Sequence, residues 1–410
     1  MAAAPTSAGS LTTLRELNRR RVVEVLRRRG VASRADIARE TGLSRTTVST
    51  IVGAMQREGL VAERDAAPAP RGPEGGRPPV MLAFTPRVGA LAGIDFGHER
   101  VRVAVGDLGY EVLAETELEV GVDLGAEEAL DAAADALAHL LVEAGMPPGR
   151  LLAAGVGLSA PLHPATGRVA SESILPSWAG LDPRAELERR LGVAVALDND
   201  ANVGALGEWM FGAARGGSLV AYIRLSAGIG AGLIFEGRLF RGAAGAAGEL
   251  GHVLADPAGP ICRCGNRGCL ETLVSGPALC DQLRRSHGEL TVPRLLALAA
   301  AGDRGCRRVL QDAARVVGRV VADLCNTINP DVVVVGGELA AAGDLLLDPM
   351  RVAVRQHAIP AAVTSVTVVA AELGPRAEVL GALALAGHTS PDVTAAALPG
   401  GPAIRRRSKA

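Results

Sequence analysis

Residues 248–271 read Gly-Glu-Leu-Gly-His-Val-Leu-Ala-Asp-Pro-Ala-Gly-Pro-Ile-Cys-Arg-Cys-Gly-Asn-Arg-Gly-Cys-Leu-Glu. Within this stretch His252, Cys262, Cys264 and Cys269 offer one imidazole and three thiolates, the donor set of a closed tetrahedral zinc site. Gly259, Gly265 and Gly268 let the loop double back on an ion. Four protein ligands leave no position for a reactive water, so the zinc expected here is structural. The alternative is three incidental buried cysteines. Cys280, Cys306 and Cys325 lie in helix-like apolar surroundings and read as core. Six cysteines in 410 residues make no disulfide framework, which fits a reducing cytoplasm.

Upstream, an apolar strand ending at Leu197 runs into Asp198-Asn199-Asp200-Ala201-Asn202. Carboxylates and amides at the carboxyl end of a strand face the crevice where α/β sheets bind ligands. They suit a polyhydroxylated ligand, because each hydroxyl both donates and accepts. Asp200 is also a candidate general base, and a plain Asx-capped turn into a helix is the alternative for the whole cluster. Residues 226–232, Ser-Ala-Gly-Ile-Gly-Ala-Gly, read as a glycine-rich turn able to bring backbone N–H groups to an anion, or as a simple hairpin.

Working outward, apolar strands are expected at 90–96, 101–107, 151–158, 193–197, 219–225, 232–235 and 332–336, with helices at 126–144 and 305–328. A run such as Val332-Val333-Val334-Val335 is covered on both faces, so the body is α/β. No internal repeat stands out. Beyond Gly387 the chain turns to Pro, Gly and Ala and ends in Arg405-Arg406-Arg407-Ser408-Lys409, a tail expected to be disordered.

The amino-terminal texture differs. Apolar residues recur helically over 12–29. Ser33 can cap a helix over 34–41, Gly42 supplies a turn, and Ser44 can cap a helix to Glu58 whose Val48, Ile51, Val52 and Met55 form one face. Strands at 60–64 and 80–84 follow, separated by a Pro-, Gly- and Ala-rich stretch that holds Arg71 and Arg77. Three helices and a hairpin in this order make a winged helix-turn-helix; a small helical cap or oligomerisation domain is the alternative. Residues 1–64 carry twelve arginines against six acidic residues, a net +6, while the remainder is −7. That asymmetry suits a small nucleic-acid module joined to an acidic body. The expected division is a disordered 1–11, a DNA-binding domain over 12–85, an α/β body over 86–387 and the tail 388–410.

Composition excludes other classes. The chain is 48% hydrophobic and 21% charged, as in globular proteins, and 2% aromatic, too little for a single-strand stacking platform. No stretch reads as a signal peptide or as the ~18 apolar residues of a membrane span.

Taken in order, the segments resemble the ROK family of repressors, uncharacterised reading frames and sugar kinases. The motifs that carry the resemblance are Gly93-Ile94-Asp95-Phe96-Gly97, residues 155–161, Leu197 to Asn202, residues 228–232, and Gly248 to His252 with Cys262 to Glu271. The resemblance implies an actin-like, ribonuclease-H-type two-lobed fold with a ligand cleft between lobes. It implies that Asn199, Asp200, Glu249, His252 and Glu271 hold a sugar. His252 then serves twice, ligating zinc through one ring nitrogen and a sugar hydroxyl through the other.

Where family kinases carry Asp-x-Gly-Gly-Thr for phosphate, this chain has Asp95-Phe96-Gly97-His98-Glu99. A carboxylate ~4 Å from a phosphate costs about 4 kcal/mol at an effective dielectric of ~20, so ATP and Mg are not expected. Ala227 likewise replaces a kinase Thr, and Ile174 replaces an Asn before Leu175-Pro176. The expectation is a sugar-responsive transcriptional regulator, a repressor, working as a homodimer or homotetramer on inverted-repeat operator DNA without a membrane. Arg45, Thr46, Ser49 and Thr50 would face base edges, Arg34 a phosphate, and Arg71 and Arg77 the minor groove. The rival is an active ATP-dependent hexose kinase with Asp200 as base and an accessory DNA head; a cleft serving a protein partner is a third reading.

Overall fold

The computed structural model describes residues 8–64, 80–85, 89–120, 125–147, 149–160, 162–163, 166–169 and 175–389. Arg71, Arg77, Pro161 and Ile174 lie outside them, as do residues 1–7 and 390–410.

The chain opens with α1 (Ala8–Arg29), β1 (Ala32–Ser33), α2 (Arg34–Thr41), α3 (Arg45–Arg57), β2 (Val61–Arg64) and β3 (Met81–Phe84). Helix α1 starts at Ala8, four residues before the expected boundary. Local chemistry sets the two short helices. Ser33 and Asp36 form a capping box on α2, Gly42 ends it in the left-handed region, and Ser44 caps α3 through Thr47 N. The hairpin strands β2 and β3 pair antiparallel, and β1 joins the other side of β3. Val48, Val52 and Met55 of α3 are buried against Val22, Leu26 and Ile37. Together these elements make the expected winged helix-turn-helix.

The body begins with β4 (Ala90–Phe96), β5 (Val101–Asp107), β6 (Val112–Leu118), α4 (Ala126–Glu143), β7 (Leu151–Leu158), α5 (Pro183–Leu191) and β8 (Ala194–Asn199). Then come α6 (Asp200–Phe211), β9 (Leu219–Leu225), β10 (Ile229–Phe235), β11 (Arg238–Leu239), α7 (Glu271–Val274), α8 (Gly276–His287), α9 (Val292–Ala300) and α10 (Arg304–Ile328). The last elements are β12 (Val332–Gly336), α11 (Asp344–His357), α12 (Pro360–Ser365), β13 (Thr367–Ala370) and α13 (Ala377–Thr389), the last running two residues past the expected end of the body.

The strands form two five-stranded sheets, ordered β6-β5-β4-β7-β8 and β11-β10-β9-β12-β13. In each, three antiparallel strands are followed by two parallel ones. The topology is therefore duplicated although the sequence shows no repeat. Helices α4 and α5 cover the outer face of the first sheet, and α7 to α11 cover that of the second. Helices α6 and α13 lie between the sheets: α13 packs on β4 and β7, and α6 on β9 and β10. Val333, Val334 and Val335 are fully buried, facing separate cores on the two sides of β12, as their sequence required. The result is the two-lobed, ribonuclease-H-type α/β body expected. Among the described residues no helix is long and apolar enough to cross a membrane.

Residues 226–232 take the hairpin alternative: Ser226 to Gly228 turn, with Ser226 N bonded to Gly228 O, and β10 starts at Ile229 and pairs antiparallel with β9. The glycines also serve packing. A Cβ on Gly232 would stand 2.4 Å from Ala201 O and 2.6 Å from the Ala205 methyl, so this strand must be bare for α6 to lie on it.

Candidate functional site

Sheet register assembles the site. Phe96 pairs with Leu158 and Leu158 with Asn199, so the carboxyl ends of β4, β7 and β8 stop level, bringing Asp95, Ser159 and Asn199 to one edge. In the other lobe Arg224 pairs with Gly336 at the ends of β9 and β12, facing them. The cavity between is lined by His98, Asp200, Arg224, Glu249, His252 and Glu271, with Asn199 and Asn202 beside them.

Asp200 is the first residue of α6 and is buried. Its Oδ2 accepts from Ser159 Oγ at 2.6 Å and stands 3.1 Å from Arg224 Nη1, while Oδ1 accepts from Ala201 N at 2.7 Å. Asn199 caps α6 through Ala201 N and donates to Ala160 O, so the capped turn of the alternative reading exists within the cavity wall. Asn202 donates to Asp198 Oδ1, and Arg241 holds Asp198 Oδ2. Asn202 Oδ1 is buried without a partner, an acceptor left for a ligand's donor among the described residues.

Glu271 occupies the backbone cradle that glycines were expected to offer an anion: its Oε2 accepts from Ile229 N at 3.0 Å, and its Oε1 stands 3.1 Å from Arg263 Nε. Burial pushes the Glu249 carboxyl above the usual range, with Asp200 and Glu271 adding to the shift against His252 and Arg263. His252 Nε2 stands 3.9 Å from Glu249 Oε2, on the cavity side. Its Nδ1 turns away, 3.6 Å from Cys262 Sγ.

On that far side His252, Cys262, Cys264 and Cys269 converge, with ligand atoms all within 4.8 Å of one another. A tetrahedral metal with sulfur arms of about 2.3 Å separates two sulfurs by about 3.8 Å. Cys264 Sγ and Cys269 Sγ are 3.7 Å apart. The loop closes because Gly268 takes φ +65°, and a Cβ there would meet Asp256 O at 1.6 Å. The four residues fit a metal. A second cluster, His287, Asp303 and Cys306, has a simpler account. Asp303 caps α10 through Cys306 N at 2.8 Å and takes an ion pair from His287 Nε2 at 3.2 Å, which together hold its carboxyl down to about 2. Cys280 and Cys325 are buried, as expected of core.

Sequence reasoning missed the charged cluster behind the cavity. Arg224 also bonds Glu378 Oε1 at 3.0 Å, and Tyr222 Oη donates to the same oxygen at 3.0 Å. Asp95, 1% exposed, has an unpartnered Oδ1; burial first, then the charge of Glu378, push its carboxyl up to about 8. Nothing local marks Arg224 or Glu378, which are 154 residues apart. On the phosphate side, His98 lines the cavity and Glu99 is exposed. Across the cleft burial raises the Glu338 carboxyl and the charge of Glu99 raises it further, against Arg100 and Arg224.

On the amino-terminal head, Arg45, Thr46, Ser49 and Thr50 are all exposed on α3, away from its buried face. Arg34, half-buried at the start of α2, donates to Gln56 Oε1 at 3.0 Å with Glu63 3.7 Å away.

Comparison with known proteins agrees with this architecture. Residues 91–389 match the ROK family model and residues 15–62 a winged helix-turn-helix DNA-binding model. A xylose repressor of Caldicellulosiruptor bescii is 30% identical over 391 residues, covering 92% of this chain and 97% of its own. The crystal structure of a ROK family transcriptional regulator, a homologue of the Escherichia coli MLC protein, superposes with a TM-score of 0.75 at 25% identity, covering 94% of this chain and 96% of that one. A ROK family glucokinase from Streptomyces griseus, solved with glucose and AMPPNP, gives a TM-score of 0.65 at 30% identity over 73% of this chain and 99% of its own. With both lobes, the metal loop and the DNA-binding head accounted for, the chain belongs to the ROK family.

Proposed function

We propose that this chain is a sugar-responsive transcriptional repressor whose kinase-like body, over 86–387, binds a sugar without phosphorylating it. The observation that carries the reading is the asymmetry of the cleft. One side offers hydroxyl partners at Asn199, Asp200, Glu249, His252 and Glu271. The other has Glu99 and Glu338 near enough for the charge of Glu99 to raise the Glu338 carboxyl, and on this reading they lie beside the place of a nucleotide's phosphates. A neutral polyol suits the first; a triphosphate is repelled by the second. Asp200 then acts as a hydrogen-bond acceptor for the sugar, its oxygens already engaged by Ser159, Arg224 and Ala201.

The head, over 12–85, would lay α3 in the major groove with Arg45, Thr46, Ser49 and Thr50 at base edges. Arg71 and Arg77 remain the proposed minor-groove contacts, and Arg34 a proposed phosphate contact only if it leaves Gln56. The metal is proposed to be one structural zinc per chain, fixing His252 so that Nε2 points at the sugar. A homodimer or homotetramer in the cytoplasm, reading inverted half-sites, completes the proposal.

The test is calorimetry with D-xylose and D-glucose together with DNA binding by the full chain. Sugar-dependent operator affinity without ADP release supports the reading. ADP release that Asp200→Asn abolishes establishes the kinase instead.

A further inference from the structure

We propose that α13 is the rod that carries occupancy of the sugar pocket to the DNA-binding head, with Glu378 as the positioning residue at its cleft end. The proposal rests on the sugar-responsive reading above. At the cleft end, Glu378 lies in the first turn of α13 and is 4% exposed. It holds the Arg224 guanidinium, whose Nη1 reaches Asp200 in the sugar pocket. Arg224 is thus shared between a residue that faces the ligand and the first turn of a helix that does not. A sugar hydroxyl donating to Asp200 competes with Arg224 for the same oxygens, shifts the guanidinium toward Glu378 and so acts on α13.

Along its length α13 has no slack. A Cβ on Gly93 would stand 2.3 Å from Val379 O, on Gly155 1.9 Å from Ala382 O, on Gly207 2.2 Å from Ala377 O, and on Gly381 1.6 Å from Val203 O. Backbone touches backbone on both flanks, so α13 moves with α6, the helix that Asp200 begins. Packed elements of this kind shift as bodies rather than deform.

At the far end α13 meets α1 of the head. Arg27 Nη1 donates to Gly387 O at 2.7 Å in a buried contact, and its guanidinium lies 5.5 Å from the Tyr110 ring centre. His388 stacks on Tyr110 and places Nε2 3.1 Å from Glu24 Oε1. Leu383 to Ala386 share one apolar cluster with Val22, Val23, Val25 and Leu26. Thirteen residues span about 20 Å, so one helix reaches from the sugar pocket to the head.

The experiment uses the full chain, D-xylose and D-glucose as probes, and a duplex selected from random DNA by the wild-type protein. Its readout is the ratio of DNA dissociation constants with and without saturating sugar, measured beside the sugar affinity itself. A wild-type ratio between about 5 and 150 is expected. Arg27→Ala, and the milder surface change Glu24→Gln, bring the ratio toward one while sugar affinity stays within about twofold, because neither touches the pocket. Glu378→Gln lowers the ratio from the other end, and Arg27→Lys, which keeps a donor for Gly387 O, restores part of it. A normal wild-type ratio kept by Arg27→Ala, Glu24→Gln and Glu378→Gln overturns the rod alone. A wild-type ratio of one with both sugars overturns the sugar-responsive reading and the rod with it.

Discussion

Replacing Gly155 by alanine tests how the two lobes are joined. Gly155 lies in β7 beneath α13, and a methyl there would stand 1.9 Å from Ala382 O and 2.7 Å from Ala386 N. Both obstacles are backbone, so no rotamer relieves them. Non-bonded carbon contacts settle near 3.5 Å or beyond, so α13 must retreat by about 1.5 Å. That retreat pulls Leu383 from its seat over Gly106, where the present clearance leaves no room for a Cβ. Overpacking of a tight core costs 1–3 kcal/mol, and a backbone-on-backbone clash belongs at the top, about 3 kcal/mol. At roughly 2–4 °C per kcal/mol for a body of this size, the melting temperature falls by about 6–12 °C. Gly53→Ala is the internal control. Nothing stands within 4 Å of a Cβ there, and it sits inside α3, so alanine should stabilise by up to ~1 kcal/mol. Thermal unfolding followed by circular dichroism reads both. A Gly155→Ala chain melting within 2 °C of wild type would refute the seating of α13 on β7.

The metal cluster predicts about one zinc per chain in protein purified without added metal, lost in Cys269→Ser; elemental analysis finding none in the wild type removes the site. Arg45→Ala should weaken binding to the selected duplex by about 1–3 kcal/mol if it reads a base edge bidentately, with little change on random DNA. An equal loss on both would make it a phosphate contact. Asp95→Asn should stabilise the chain in a pH-dependent way. The folded carboxyl titrates near 8, burial being the first cause, against about 3.9 unfolded, so between those values the unfolded chain releases a proton the native one keeps. Native stability therefore falls as pH rises from about 4 to 8 in the wild type, and the asparagine chain escapes that fall. The gap in melting temperature should widen over that window and level off above it; a gap constant from pH 5 to 8 would show that Asp95 titrates normally.

The parts legible in the sequence are those fixed by short-range chemistry. Ser33, Gly42 and Ser44 announce α2 and α3 because a cap binds N–H groups within its own turn. The valines at 332–335 announce a buried strand because no polar face interrupts them. The His252 and Cys262 to Cys269 set is legible because donor type and spacing nearly specify the product. What escaped depends on contacts across the chain. Glycine serves turns and tight packing equally, so residues 228–232 needed the position of α6 to settle which. The charge of Arg34 is visible in sequence, whereas Gln56 and Glu63 are not visibly its neighbours. Glu338, in the other lobe, gave no local sign that it comes within reach of the charge of Glu99.

The buried charges bear on the proposal that the pocket binds a sugar without phosphorylating it. Asp95, Asp200 and Glu378 surround a single buried guanidinium, that of Arg224, with Arg102 3.8 Å from Asp95 on the outer side. Three carboxylates cannot all stay ionised around one partner in a dry interior. Asp95 relieves the excess by keeping its proton, and Arg224 bridges Asp200 and Glu378 across the lobe boundary. A nucleotide would bring further negative charge to this cluster and to Glu99, with no unengaged cation among these groups to meet it. A neutral sugar brings none and disturbs only how Arg224 is divided between Asp200 and Glu378. On the reading proposed here, that division is the variable a repressor needs: small in energy, set by the ligand, and attached to a helix that ends at the DNA-binding head.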